Sequence, residues 1–333
     1  MSNYDYHLPL IDYKCMEKFN LKGEVSYEQS GLRLDQVASA MFPNFSRARL
    51  QTWIKDGSLL VDGHQAKNKQ KLLGGELITL SAHEETHEQW QAEPLPLDIL
   101  YEDESLLIIN KAAGLVVHPA AGNYSGTLLN ALLHHYPELG SIPRAGIVHR
   151  LDKETSGLMV VARSLDSHQS LIEQIQAREI SREYQAVAVG LVTAGGIVDA
   201  SLGRHPVHRT KRAVVSEQNG KKAITHYRVL KKFRAHTQLL VKLETGRTHQ
   251  IRVHLAHIGF PLVGDQVYGG RPKVPKAASP QLIAMIENFK RQALHAWKLG
   301  LQHPRTGEYM QWEAEPPQDI LSLLSVLNED YEQ

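Results

Sequence analysis

The sequence predicts an α+β protein in two parts, a small αα-β module ahead of a larger domain whose mixed, mainly antiparallel sheet is flanked by helices. Three observations predict this. The chain has 333 residues, 42% of them hydrophobic, which is enough for about two domains with packed cores. Its composition breaks near residues 83–93, since His83 to Glu104 holds eight acidic residues and no Lys or Arg around Pro94-Leu95-Pro96. Beyond that break, strand-like runs succeed one another without crossover helices, which disfavours a doubly wound parallel sheet. The expected boundaries are an N-terminal extension over 1–30, the module over 31–82, an acidic linker over 83–92 and the large domain over 93–333.

In the module, Leu34, Val37, Ala38 and Met41 recur at helical spacing, and Pro43-Asn44 stops that helix. Ser46 is a natural N-cap for a second helix with Ala48, Leu50, Trp53 and Ile54 on its apolar side and Gly57 past its end. Leu59-Leu60-Val61 enters an Asp62-Gly63 hairpin turn, and Leu77 to Leu80 is the closing strand. Downstream, strands are expected over Leu106–Ile109, Leu158–Ala162, Tyr184–Val189, Ala223–Val229, Gln238–Leu243, Leu294–Leu301 and Tyr309–Trp312. Helices are expected over Leu128–His135, Ser167–Arg178, His249–Ile258 and Pro317–Leu327.

The one cysteine, Cys15, excludes an intramolecular disulfide and a Cys-based zinc site. No apolar run approaches the roughly 18 residues that span a bilayer. Asp5 and Asp12 precede the first basic residue, Lys14, unlike a secretory signal. The expectation is a cytoplasmic protein with no membrane partner. Neither G-x-x-x-x-G-K-[ST] nor a strand-linked G-x-G-x-x-G occurs, so no nucleotide cofactor is expected.

A net charge of +1 conceals segregation. Arg204 to Arg234 holds ten basic residues against Glu217 alone, interleaved with His205, His208, His226, Tyr227 and Phe233. Basic residues with aromatics between them suit a polyanion whose bases can stack, which points to nucleic acid. Arg209, Lys211 and Arg212 at the head of this segment are candidate RNA contacts. So are Arg33, Arg47, Arg49 and Lys55 on the polar helix positions of the module, placed to meet phosphates.

Three strings could carry chemistry. Ala145 through Ala162 sets His149, Arg150 and Asp152 on a charged turn between apolar, strand-like pieces, where function usually sits. A carboxylate there serves as nucleophile, general base or metal ligand, and the plain alternative is that Asp152 caps a turn and Arg150 pairs with it or with Glu154. Leu243 through His257 reads as strand, Gly turn and helix, with Arg247 at the turn offering a planar fork to an anion. His249, His254 and His257 lack a cysteine or spaced carboxylate to complete a metal site, so no metal is expected. Ile180 through Val187 alternates as a strand with Arg182, Tyr184 and Ala186 on one side. Tyr184 is there either a half-buried strand aromatic or a ring on which a base stacks.

Residues 31–80 resemble an S4 RNA-binding domain on Leu32-Arg33-Leu34-Asp35, Ser46-Arg47-Ala48-Arg49, Gly57, Val61-Asp62-Gly63 and Gly74-Gly75-Glu76. The rest resembles the RluA-type pseudouridine synthase family. The resemblance rests on His149-Arg150-Leu151-Asp152 with Thr155-Ser156-Gly157-Leu158, Arg182-Glu183-Tyr184, and Thr245-Gly246-Arg247-Thr248-His249-Gln250-Ile251-Arg252. Val116-Val117-His118-Pro119, Pro143-Arg144-Ala145-Gly146 and Val263-Gly264-Asp265 extend it; Ala120 departs from the glycine many relatives carry there. The resemblance implies a cofactor-free isomerase that turns uridine in RNA into its carbon-linked isomer. It implies Asp152 as nucleophile or base, Arg247 pairing with Asp152 to hold it ionised and aimed, Tyr184 packing on the target uracil, and Arg150 entering the RNA stack. The branch with an S4-like module implies a monomer acting on large-subunit (23S) ribosomal RNA or a pre-ribosomal particle, in a stem-loop at the subunit interface.

Overall fold

A computed structural model describes residues 18–43, 45, 47–83, 90–119, 123–208, 211–270 and 272–332. The chain divides into two compact units between Gln89 and Trp90.

The first unit runs β1 (Lys18–Glu24), α1 (Leu34–Met41), α2 (Arg47–Asp56), β2 (Leu59–Val61), β3 (His64–Gln65) and β4 (Leu77–His83). Its four strands form one antiparallel sheet in the order β1-β4-β2-β3. The helical spacing read from sequence becomes burial: Leu34, Val37 and Ala38 of α1 meet Leu50, Trp53 and Ile54 of α2 over Leu59, Ile78 and Leu80. Asp62 and Gly63 both adopt positive φ, 49° and 75°, the geometry a two-residue hairpin turn favours. Asn44 and Ser46 lie outside the described residues. One boundary is corrected. Residues 18–24 are not part of an extension but the edge strand β1, paired along its length from Lys18 opposite His83 to Glu24 opposite Leu77. As an edge strand facing solvent through Asn20, Lys22 and Glu24, it carries no strong alternation for a sequence reading to find.

The second unit runs β5 (Ile99–Glu102), β6 (Leu106–Lys111), α3 (Leu128–His135), β7 (Ser156–Ala162), α4 (Leu165–Ala177), β8 (Ser181–Val189), β9 (Gly196–Asp199), β10 (Leu202–Arg204), β11 (Arg212–Val214), β12 (Ile224–Lys232), β13 (His236–Leu243), α5 (Gln250–His257), α6 (Pro280–Asn288), β14 (Leu294–Gln302), β15 (Tyr309–Glu313) and α7 (Gln318–Glu332). The main sheet has the order β5-β6-β7-β14-β8-β13-β12-β9, with β15 also on β14, and β10–β11 forms a separate hairpin. Among the described residues, β7 with β14 is the parallel pair of an otherwise antiparallel sheet, as the sequence predicts.

The central strands are covered on both faces. Leu107, Ile109, Met159 and Val161 pack with Leu128, Leu129 and Leu132 of α3 and with Ile251 and Leu255 of α5. The alternate residues Leu106, Ile108, Leu158 and Val160 pack with Leu171 of α4. Helices α6 and α7 close a third cluster over Val187 and Val263. The expected linker is also shorter at its end. Trp90 packs edge-on to His118 with ring centroids 5.4 Å apart, and the Gln91 carbonyl accepts from Asn130 Nδ2 at 2.7 Å. Helix α6 was not expected. Ser279 caps it by accepting from the Leu282 N–H at 3.1 Å, but only Leu282 and Ile286 are buried along it, too few to set a period. Among the described residues, no helix is long and apolar enough to cross a membrane.

Candidate active site

The loop that carries Asp152 connects the short helical turn Pro143–Gly146 to β7, and it is pinned through its backbone. The Lys153 carbonyl accepts from Lys111 Nζ at 3.0 Å and from the Gly114 N–H at 2.9 Å. Lys111 is almost fully buried and donates also to the carbonyls of Ala112 and Leu115. Burial pushes its ammonium down to about 8, against the fields of Glu154 and Asp152. On the far side, Gln292 Nε2 donates to Thr155 Oγ1 at 3.0 Å. The loop enters β7 through Gly157, whose φ of +113° and close backbone contact are open to glycine alone. A Cβ there would lie 2.3 Å from the Ala296 carbonyl oxygen across the β7–β14 pairing.

Asp152 opens into a cavity of about 770 Å³ whose lining includes Ile147, His149, Arg150, Arg182, Tyr184, Leu243, Arg247, His249 and Arg252. Its side chain is 15% exposed. Tyr184, 6% exposed on β8, forms part of the apolar floor. Burial raises its hydroxyl pKa, opposed by Arg182. His149 accepts from the Val160 N–H through Nε2 at 3.0 Å. Burial, with the Arg182 charge, pushes its imidazole down to about 3, so it is a neutral brace for the loop.

The cationic partner of Asp152 is Arg252, and the sequence expectation of Arg247 is corrected here. Arg252 Nη1 donates to Asp152 Oδ2 at 3.0 Å. Its Nε and Nη2 grip Asp265 at 2.7 and 2.9 Å. Asp265 also accepts from the N–H groups of Val267 and Tyr268. Burial would raise the Asp265 carboxyl, but the Arg252 hydrogen bonds and charge outweigh it and hold it low. Burial likewise opposes the Arg252 charge, and the two carboxylates outweigh it. Arg247 is exposed on the turn before α5, where Nε donates to the Lys222 carbonyl at 3.2 Å. The signal for Arg252 was present, an arginine among Ile251, Val253 and Leu255 on a buried helix, because a buried guanidinium requires a carboxylate.

His249 Nε2 stands 4.0 Å from Asp152 Oδ1, and its Nδ1 meets the Tyr268 hydroxyl at 2.8 Å. Burial pushes the His249 imidazole down, against the pull of Asp152. His254 bonds Thr225 Oγ1 and the Ala200 carbonyl instead of facing His257. Among the described residues, no three His, Cys, Asp or Glu side chains form a metal-binding group.

The expected RNA contacts fall into distinct settings. Arg150 is exposed at the cleft and forms no ion pair among the described residues. Arg33 and Arg47 both donate to the fully buried Asp35, at 2.9 and 2.8 Å, with Gln51 a third donor. One buried carboxylate thereby orients two half-exposed guanidiniums. Arg49 lies over the Trp53 ring at 5.2 Å, and Lys55 is exposed in the last turn of α2. Lys211 Nζ donates to the Val267 carbonyl at 3.1 Å, and the Arg212 N–H donates to the Tyr268 hydroxyl at 2.9 Å. Arg209 and Ala120 lie outside the described residues. Within the basic segment, the expected base contact by Phe233 is corrected and two further members are engaged with the protein itself. Arg234 is tied to Asp330 and to the carbonyls of Lys276 and Ala277. Phe233 is buried against α6 and α7 rather than offered to a base, and His226 pairs with Glu244 at 2.6 Å.

A family model described as RNA pseudouridylate synthase matches residues 105–257, and one described as S4 domain matches residues 32–78. The chain is 56% identical over 309 residues to ribosomal large subunit pseudouridine synthase D of Pseudomonas aeruginosa, covering 93% of this chain and 96% of that protein. It is 53% identical over 318 residues to the Escherichia coli protein of that name, covering 95% and 97%. Among solved structures, human RNA pseudouridylate synthase domain containing 4 matches with a TM-score of 0.55 and 25% identity, over 69% of this chain and 93% of that one.

Proposed function

Because this chain belongs to the RNA pseudouridylate synthase family, and is therefore an RNA-modifying isomerase, we propose that it converts specific uridines of large-subunit (23S) ribosomal RNA to pseudouridine with Asp152 as its catalytic carboxylate. One observation carries the assignment of roles: Asp152, held by Arg252, shares a single cleft with Tyr184 and Arg150. The two relatives named for the large ribosomal subunit support the substrate.

The reaction breaks the bond from ribose C1′ to N1 and forms one from C1′ to C5, with loss of the C5 proton and gain of one at N1. No atom or electron is supplied from outside, so the reading includes no cofactor. Asp152 meets the nucleotide at the sugar or the base, where a carboxylate traps or stabilises the positive charge that bond breaking builds. The freed uracil must turn before it escapes, and stacking on Tyr184 worth roughly 1–3 kcal/mol retains it. Flipping the uridine out costs a few kcal/mol, and Arg150 fills the gap left in the RNA stack. Arg252 takes the role that the resemblance implied for Arg247. Its grip on Asp265 leaves one N–H aimed at Asp152 before substrate arrives, so no reorganisation accompanies the chemistry.

The reading extends to a monomer in the cytoplasm, acting on free ribosomal RNA or a pre-ribosomal particle at a subunit-interface stem-loop. Arg33, Arg47, Arg49 and Lys55 of the module, with Arg209, Lys211 and Arg212, meet RNA phosphates. Pseudouridine mapping across total RNA from cells with and without the gene tests it. The expected result is loss of signal at uridines of one large-subunit stem-loop. An unchanged large-subunit profile, or loss confined to transfer RNA, overturns the substrate assignment.

A further inference from the structure

We propose that Arg182 is the receptor for a backbone phosphate of the flipped nucleotide, a binding role distinct from those of Asp152, Arg252 and Tyr184. The inference rests on the reading that RNA enters this cleft. Arg182 is 7% exposed, and its Nε is buried with no hydrogen-bond partner. Its guanidinium forms no ion pair among the described residues, although a buried charge is costly unless it is compensated. The two carboxylates that line the cleft are engaged elsewhere. Asp152 is held by Arg252, and Glu244 by Arg178 at 3.2 Å and His226 at 2.6 Å. The chain also keeps room for this cation, since a Cβ at Gly246 would come within 2.7 Å of Arg182 Nη1. Its field is felt in the cleft, where it works with burial to depress His149 and against burial at Tyr184.

The anion it lacks is a phosphodiester. Arg182 and Tyr184 alternate onto one buried face of β8, about 7 Å apart at strand spacing. That is the scale of a single nucleotide, so a base resting on Tyr184 brings its own backbone to the guanidinium. Uracil is neutral in the ground state, whereas a phosphodiester carries a full unit of charge and two oxygens that match the guanidinium fork.

The test uses the full chain and a synthetic large-subunit stem-loop carrying the uridine expected to be its target, made with a neutral methylphosphonate on the 5′ or, separately, the 3′ side of that uridine. One of the two replacements is expected to weaken wild-type binding about tenfold and Arg182→Gln less than about twofold. On unmodified RNA, Arg182→Gln is expected to bind about tenfold more weakly, with the slope of log affinity against log salt reduced by about one. Arg182→Lys restores part of the affinity. Without RNA, Arg182→Gln should melt no lower than the wild type, because an uncompensated buried charge has been removed, whereas an arginine that only braces the fold would lower the melting temperature. Equal penalties from both replacements in wild type and variant overturn the proposal. So does a loss confined to kcat, which would direct Arg182 to the uracil oxygens. A wild type that binds the RNA but forms no pseudouridine overturns the underlying functional reading instead, a result separable from uncoupled penalties.

Discussion

Arg252 divides its guanidinium between two carboxylates, two N–H groups on Asp265 and one on Asp152. A lysine there has no fork with which to serve both. Arg252→Lys is therefore expected to lower kcat by about a hundredfold with KM within about threefold, read from steady-state kinetics on a stem-loop RNA. Arg247→Gln should do the reverse, raising KM while sparing kcat, because Arg247 is exposed and its Nε bonds the Lys222 carbonyl rather than Asp152. The sequence presents both arginines five residues apart, and the choice between them depends on which reaches a loop 100 residues away. Local spacing holds no such information, whereas the clustering of His149, Arg150 and Asp152 on one turn is local and was legible. His149 brings a pH dependence. Its folded value is about 3 against 6.5 unfolded, so between these the unfolded chain binds a proton that the folded chain refuses. Stability is full above 6.5 and falls with pH below it, by ~2 kcal/mol at pH 5 for this group. Thermal melts of His149→Gln, whose amide oxygen can accept the Val160 N–H, should show that much less acid sensitivity than the wild type.

Elements with a strong local period were readable from sequence. Leu128–His135 has the expected bounds, β7, β13 and β14 extend the expected strands by one or two residues, and β12 begins one residue later than expected and runs on to Lys232. Those that owe their existence to tertiary pairing were not. Strand β1 is held by β4 across the module, and the three-residue strands β10 and β11 exist as each other's partner. Helix α6 shows only two buried positions. At β7 the sheet depends on one backbone conformation. Gly157→Ala adds a Cβ against the Ala296 backbone at a φ of +113°, and is expected to cost about 3 kcal/mol. A denaturation midpoint unchanged in Gly157→Ala would show that β7 and β14 can separate without loss.

The molecule joins a module whose guanidiniums are organised by a buried aspartate to a larger unit that contains the whole of the Asp152 cleft. Chemistry and RNA affinity should accordingly separate. Residues 90–333 alone are expected to keep kcat on saturating stem-loop RNA while binding it with a salt slope reduced by up to about three, for the loss of Arg33, Arg47, Arg49 and Lys55. A truncated protein with full affinity and an unchanged slope would remove the module from RNA binding. The account as a whole depends on the carboxylate at position 152. Its most direct test is pseudouridine formation by purified Asp152→Asn on large-subunit RNA, with binding measured on the same sample. The predicted result is wild-type binding within about threefold and no detectable product, and conversion at a rate near that of the wild type would contradict it.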